Sequence, residues 1–139
     1  MKCLLDTCVI SELVKPNPSG KVIEWIDAQD EEQLYLSVLT IGEIEKGVQK
    51  LPESRRKEQI SEWLHDDLLL RFRGQILPID QQTAMFWGKL IAEQESAGRK
   101  LPAIDSLITA TALQYDLVLV TRNVDDFAEV GIQIYNPWE

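Results

Sequence analysis

Apolar positions along this chain alternate between short continuous runs and stretches at helical spacing, which predicts strands and helices in alternation. The opening run Met1-Lys2-Cys3-Leu4-Leu5 has the character of a buried strand ending at Asp6. Cys8 to Val14 reads as a short helix stopped by Lys15-Pro16-Asn17-Pro18. Ser19 is placed to cap a helix through Ala28, with Val22, Ile23 and Ile26 on its apolar face. Leu34 to Val38 is a second strand, after which Thr40 opens a helix towards Lys50 that closes before Pro52.

Glu53 to about Phe72 reads as a long helix with Ile60, Trp63, Leu64 and Leu68 in phase. Gln75 to Ile79 is a third strand, and Asp80 caps a helix carrying Ala84, Trp87, Leu90 and Ile91. Gly98-Arg99-Lys100 breaks that helix. Pro102 suits the first position of the next, Ala103 to Gln114. Leu117 to Thr121 is the clearest strand, and Ile132 to Tyr135 a final short one. Such alternation predicts an α/β chain with a mainly parallel sheet and helices on both faces. No repeat, low-complexity tract or linker divides it, so residues 1–139 are expected to form one domain.

Composition narrows the function classes. Lysine plus arginine number 14 against 23 aspartates and glutamates, a net charge of −9. Bulk charge therefore does not announce a nucleic-acid partner, although a local basic patch or bound cations remain able to hold a phosphate backbone. Cys3 and Cys8 form no C-x-x-C pair and are expected to be reduced thiols of a cytoplasmic protein. Asp6 cuts the opening run too short for a signal peptide, and no stretch has the length of a membrane span.

The acids carry the chemistry. Asp6 stands at a strand end, where ligands gather in open α/β sheets, yet it also suits an N-cap. Glu43 sits three residues after Thr40 in a capping-box arrangement. Asp105 lies in a helix that is apolar nearly all round, so a buried carboxylate there calls for a partner or a metal, or for the helix dipole. Asp125 and Asp126 follow Asn123 in a turn after the clearest strand, where cap chemistry is the simpler reading for each. Taken as a set, acids from distant segments converging on one sheet edge read as a cation site. Oxygen donors without histidine or paired thiols suit Mg²⁺ or Mn²⁺ rather than structural zinc. His65, the single histidine, falls mid-helix among acids and reads as solvated surface. Serine-hydrolase, P-loop and dinucleotide motifs are absent.

The segments Asp6-Thr7-Cys8-Val9-Ile10-Ser11-Glu12, Leu36 to Ile44, Ala103 to Ala112, Val120 to Phe127 and Tyr135-Asn136-Pro137-Trp138 together resemble the PIN domain. The likeness is nearest to the VapC/FitB-type toxins of bacterial toxin–antitoxin pairs and spans nearly the whole chain. It implies a three-layer α/β/α domain that hydrolyses RNA phosphodiesters with Mg²⁺ or Mn²⁺. Asp6, Glu43 and Asp105 match the family's core acids. The fourth place falls to Asp126, with Asn123 a neutral neighbour. Cys8 departs from the family's usual asparagine, which puts the geometry of the first loop in question.

The implied chemistry is attack by water on a phosphodiester at a metal held by these acids. Thr7, Ser11 and Thr121 are candidates to hydrogen-bond the phosphate or serve as caps, and Arg122 is the nearest candidate phosphate contact. Lys46, Lys50, Arg55, Arg56 and Lys57 form a second basic group that also reads as a solvated helix face. Trp25, Trp63 and Trp87 fall in phase with aliphatic neighbours, which favours packing. The resemblance further implies a homodimer, a small antitoxin that blocks the acidic groove, and operator DNA bound only through that complex. The main rival is a non-catalytic PIN-like binding module. A receiver domain lacks its acidic cluster and late lysine here, and an aspartyl phosphatase lacks its second aspartate, because Cys8 occupies that place.

Overall fold

In the computed structural model, which describes residues 1–139, five strands form one sheet in the order β3-β2-β1-β4-β5. They are β1 (Cys3–Leu5), β2 (Leu34–Ser37), β3 (Ile76–Leu77), β4 (Val118–Val120) and β5 (Ile134–Tyr135). Every neighbouring pair is parallel. A parallel sheet needs crossovers, and these are supplied by α1 (Thr7–Glu12), α2 (Gly20–Ala28), α3 (Val38–Gln49), α4 (Arg55–Glu62), α5 (Leu69–Arg71), α6 (Gln81–Ser96) and α7 (Ala103–Tyr115).

Side chains alternate across the strands and divide the interior into two cores. Cys3, Leu5, Leu36, Val118 and Val120 face one side, against Val9, Ile10, Val22, Ile26, Ile44, Val48, Leu64 and Leu68 from α1 to α4 and the turn beyond. Leu4 and Leu119 face the other side, against Leu90, Ile108, Ala112 and Phe127. The expected three-layer α/β/α arrangement is therefore what forms. No helix is long and apolar enough to cross a membrane.

Several local expectations shift. The helix after β2 begins two residues earlier than its sequence predicts, because Ser37 rather than Thr40 caps it; the Ser37 hydroxyl accepts from the Leu39 N–H at 3.0 Å. Thr40 is thereby drawn inside the helix and fully buried. The long helix expected over 53–72 starts at Arg55 behind a Ser54 cap and widens into a π-helical stretch over Trp63–Leu68 before α5. That stretch keeps Leu64 and Leu68 in the first core. Ser19 precedes α2, but its side chain makes no cap bond; its N–H instead donates to Glu12 Oε2 at 2.8 Å. Asp116 ends α7 in the left-handed region at φ 54°.

Strand order fixes where a site can lie. The chain steps outward from β1 through β2 to β3, then returns to place β4 on the free side of β1. Between β1 and β4 the connections leave in opposite directions, opening a crevice at the carboxyl ends of the strands. Asp6 and Thr121 are the first residues beyond those two ends, and the Asp6 N–H donates to Val120 O at 2.9 Å.

Candidate active site

Asp6 begins the site because it is a carboxylate with almost no access to water, 6% exposed at the end of a fully buried strand. Its two oxygens are used differently. Oδ1 accepts the Thr7 N–H at 2.9 Å and caps α1, so the capping reading is correct as far as it goes. Oδ2 accepts the Thr121 hydroxyl at 2.8 Å from across the crevice, which a cap alone does not require. Burial pushes the Asp6 carboxyl above its ordinary range, the Thr121 and Thr7 donors pull it back, and the Glu43 charge pushes it up again. The net shift is upward.

Glu43 stands in the second turn of α3 and pairs with α1 rather than with its own cap. Thr7 Oγ1 donates to Glu43 Oε1 at 2.5 Å and lies 3.2 Å from Thr40 Oγ1. The expected Thr40–Glu43 capping box is absent for this reason: both side chains turn towards Thr7. A single hydroxyl thus couples the helix after β1 to the helix after β2.

Asp105 occupies the first turn of α7, which starts at the same sheet edge. It is half-buried, less enclosed than its apolar helix predicts. Desolvation pushes its carboxyl up, and the charges of Asp6, Asp126 and Glu43 add to the shift in that order. Acids from four segments thus act on one another electrostatically. Asp126 itself is exposed in the short 3₁₀ turn Val124–Phe127, and its N–H donates to Asn123 O at 3.1 Å. Asn123 donates its own N–H to Thr121 Oγ1 at 3.0 Å.

Cys8 sits in the joint between the two loops. Its sulfur accepts the Arg122 N–H at 3.5 Å, lies 3.6 Å from Thr121 Oγ1, and its thiol points to Asp6 Oδ2 at 3.9 Å. Burial first, and the Asp6 charge as well, push this thiol up, so it stays protonated near neutral pH. The first loop is therefore pinned by sulfur contacts. Arg122 projects outward with its guanidinium 5.3 Å from the Trp138 ring centre, a cation–π contact. Ser11 lies on α1 but enters none of the hydrogen bonds that join these groups.

Two neighbours escaped the sequence reading. Glu12 is 4% exposed, salt-bridged to Lys15 at 3.0 Å and hydrogen-bonded by Ser19. Burial pushes its carboxyl up, but Lys15 and the Ser19 N–H outweigh that and hold it below its ordinary range. Trp138 holds Arg122, and Trp25 stacks on Tyr135 at 5.3 Å, so the chain's last residues close over the edge of the site. Only a turn signal, Asn136-Pro137, hints at this in the sequence.

None of the five ion pairs in the structure reaches Asp6, Glu43, Asp105 or Asp126. Their charge has no direct ion-pair partner, and the donors are hard oxygens. That set suits a hard divalent cation. No three acidic, thiol or imidazole side chains already form a closed ligand cluster.

The sequence model of the PIN domain matches residues 3–133. Toxin FitB of Neisseria gonorrhoeae is 36% identical over 135 residues, covering 97% of each chain. The VapC ribonuclease Y4jK of Sinorhizobium fredii is 36% identical over 136 residues, covering 98% of this chain and 97% of that protein. Among solved structures, FitAB bound to an IR36 DNA fragment superposes with a TM-score of 0.93 at 34% identity, covering 99% of this chain and 96% of that one.

Proposed function

The chain belongs to the PIN-domain family, and from that premise we propose that it is a divalent-cation-dependent endoribonuclease, the toxin of a toxin–antitoxin pair. One observation carries the reading: a buried carboxylate, Asp6, stands where the carboxyl ends of β1 and β4 lie side by side, its field shared with Glu43 and Asp105, and no ion pair engages any of these acids or Asp126. The 36% identity to a VapC ribonuclease along nearly the full length supports it.

Asp6 and Asp105 are the residues we assign to hold Mg²⁺ or Mn²⁺, with Asp126 and Glu43 completing the set. When bound, a divalent cation supplies Lewis acidity to a phosphoryl oxygen and to an attacking water. Thr121 and the Thr7 N–H favour the ionised form of the Asp6 carboxyl and aim it. Thr7 fixes one oxygen of Glu43, and the other is left free to orient a water and accept its proton. Arg122, steadied on Trp138, faces the depression shared with Asn123 and Asp126 and provides a cation for the phosphate. In an in-line displacement the leaving oxygen departs opposite the water.

Residues 1–139 act as one domain in this reading, in the cytoplasm and as a homodimer. An antitoxin that occupies the acidic crevice restrains it, and operator DNA is reached only through that complex; among relatives, FitAB is solved bound to a DNA fragment. A non-catalytic binding module is the alternative, and the lack of a closed ligand cluster is the feature that favours it.

The test is cleavage of a mixed RNA panel by partner-free protein with Mg²⁺, Mn²⁺ or EDTA, beside a folded Asp6→Asn, Asp105→Asn variant. Cation-dependent cleavage absent from the variant supports the nuclease. No cleavage under any cation, with no Mn²⁺ binding by calorimetry, favours the binding module.

A further inference from the structure

Between α6 and α7 the chain crosses the rim of the site as Gly98-Arg99-Lys100-Leu101-Pro102, three residues ahead of Asp105. Sequence reading treats this stretch only as a helix break. In three dimensions it separates two depressions, of about 420 and 350 Å³, within the range of ligand-sized clefts. Arg99 and Lys100 line both. The larger continues to Asp125 and Asp126, and the smaller to Trp87 and Ser106.

Arg99 is held in place from beneath. Gln94, 5% exposed, accepts from Arg99 Nε at 3.0 Å and donates to Glu129 O at 3.2 Å, while Arg99 Nη1 meets Glu129 Oε2 at 3.3 Å. A buried amide and a surface carboxylate thus hold two of the three guanidinium nitrogens, and Nη2 is left without a protein partner. Lys100 is exposed and takes part in no ion pair. On a chain with net charge −9, two adjacent cations beside an acidic crevice, one of them pre-set by a buried side chain, call for a purpose. Trp87 adds a second element. Its indole N–H is tied to Ser106 Oγ at 2.9 Å, and the residue is 37% exposed along the smaller depression rather than packed away as its helical phase predicts. Cations that track a backbone, with an aromatic ring alongside, are what single-stranded nucleic acid recognition uses.

We propose that Arg99 and Lys100 form a phosphate subsite for the RNA strand beyond the scissile bond, leading from Asp126 over the α6–α7 connection towards the Trp87 ring. The inference rests on the ribonuclease reading and names the path that substrate takes. It requires a binding contribution from charge at this loop and none to the chemical step.

The experiment compares wild type with Lys100→Gln, Arg99→Gln/Lys100→Gln and the charge-keeping Arg99→Lys/Lys100→Arg, with Lys2→Gln, exposed at the opposite end of β1, as a remote control. Fluorescence anisotropy with a labelled single-stranded RNA is read across a salt series, in parallel with cleavage kinetics. Each lost phosphate contact lowers the slope of log affinity against log salt by about 0.7. The double glutamine variant is expected to show a shallower slope and a KM raised roughly tenfold at unchanged kcat. The single Lys100 variant, which disturbs no internal contact, lies between, and the charge-keeping pair and the remote control match wild type. Glutamine variants with wild-type slope and KM overturn the subsite, as does an equal loss in the remote control. Failure of wild type to cleave RNA removes the ribonuclease reading, and with it the substrate this subsite is assigned to.

Discussion

Replacing Thr121 by valine removes one hydroxyl from the middle of the site and keeps the side chain's shape. In the native protein that hydroxyl donates to Asp6 Oδ2 at 2.8 Å and accepts the Asn123 N–H at 3.0 Å, with Thr121 itself fully buried. A hydrogen bond to a charged group contributes about 1.5–3 kcal/mol, and the carboxylate left behind has little water to turn to. Asn123 is exposed and recovers a water partner, so its share is small. The expected loss is about 2–3 kcal/mol near neutral pH. At about 2.1 cal/mol/K per residue, 139 residues give an unfolding entropy of about 0.29 kcal/mol/K, so the melting temperature should fall by roughly 7–10 °C. Thr121→Ser keeps the donor and should lose far less. The pH dependence has a definite sign. Thr121 favours the charged form of Asp6, whose carboxyl already lies above its ordinary range, and the variant's lies higher still. The difference between the two proteins is therefore full above both values and shrinks as pH falls through them. Urea titrations at neutral pH and near pH 4 measure it. A valine variant within about 0.5 kcal/mol of wild type at neutral pH, or a serine variant equally damaged, refutes the argument.

Three further outcomes are expected. Asp105→Asn should stabilise the cation-free protein: because burial and the charges of Asp6, Asp126 and Glu43 raise its carboxyl above 3.8, wild-type stability falls as pH rises through that interval, and a urea midpoint series in which the variant is the weaker protein at neutral pH contradicts this. Mn²⁺ at a hundredfold excess over its dissociation constant should stabilise wild type by about 2.7 kcal/mol and leave Asp6→Asn, Asp105→Asn unchanged, which thermal melts with and without EDTA decide. Asp116→Gly relieves a left-handed residue at the end of α7 and should add about 0.5–1 kcal/mol to the denaturation free energy; a loss instead means the aspartate side chain holds that turn.

Legibility in the sequence followed the range of the interactions. Strand β1 with Asp6 at its end, and the apolar β4 run, could be read because burial on both faces leaves a continuous apolar signature. The placement of Asp6 beside Thr121 could also be anticipated, since parallel topology brings strand ends to one edge. What the sequence concealed were choices between near-equal local partners. Thr40 and Ser37 are both competent caps, and the decision in favour of Ser37 comes from Thr7, which lies 33 residues from Thr40 in sequence and claims its hydroxyl. Glu12 looks like an ordinary surface acid until the chain turns back through Pro16 and Pro18 and lays the Ser19 N–H upon it. Asp105 was expected deeper than it is, because an apolar helix says nothing about which turn lies at the open rim. Trp87 fits the helical phase yet faces a depression, a choice made by Ser106 on the next helix.

The central strand has a consequence for the order in which this protein comes into being. Cys3, Leu4 and Leu5 are synthesised long before Val118, Leu119 and Val120, for which one side of β1 waits, and the Asp6–Thr121 hydrogen bond spans 115 positions. Contacts so distant form late, after the loop they close has been made. A ribosome that has not yet made β4 therefore carries only the β3-β2-β1 part of the sheet and scattered acids. The crevice comes into existence only once Thr121 and the acids around it have been made, so a copy that stops short of them has no assembled site with which to act on the RNA around it.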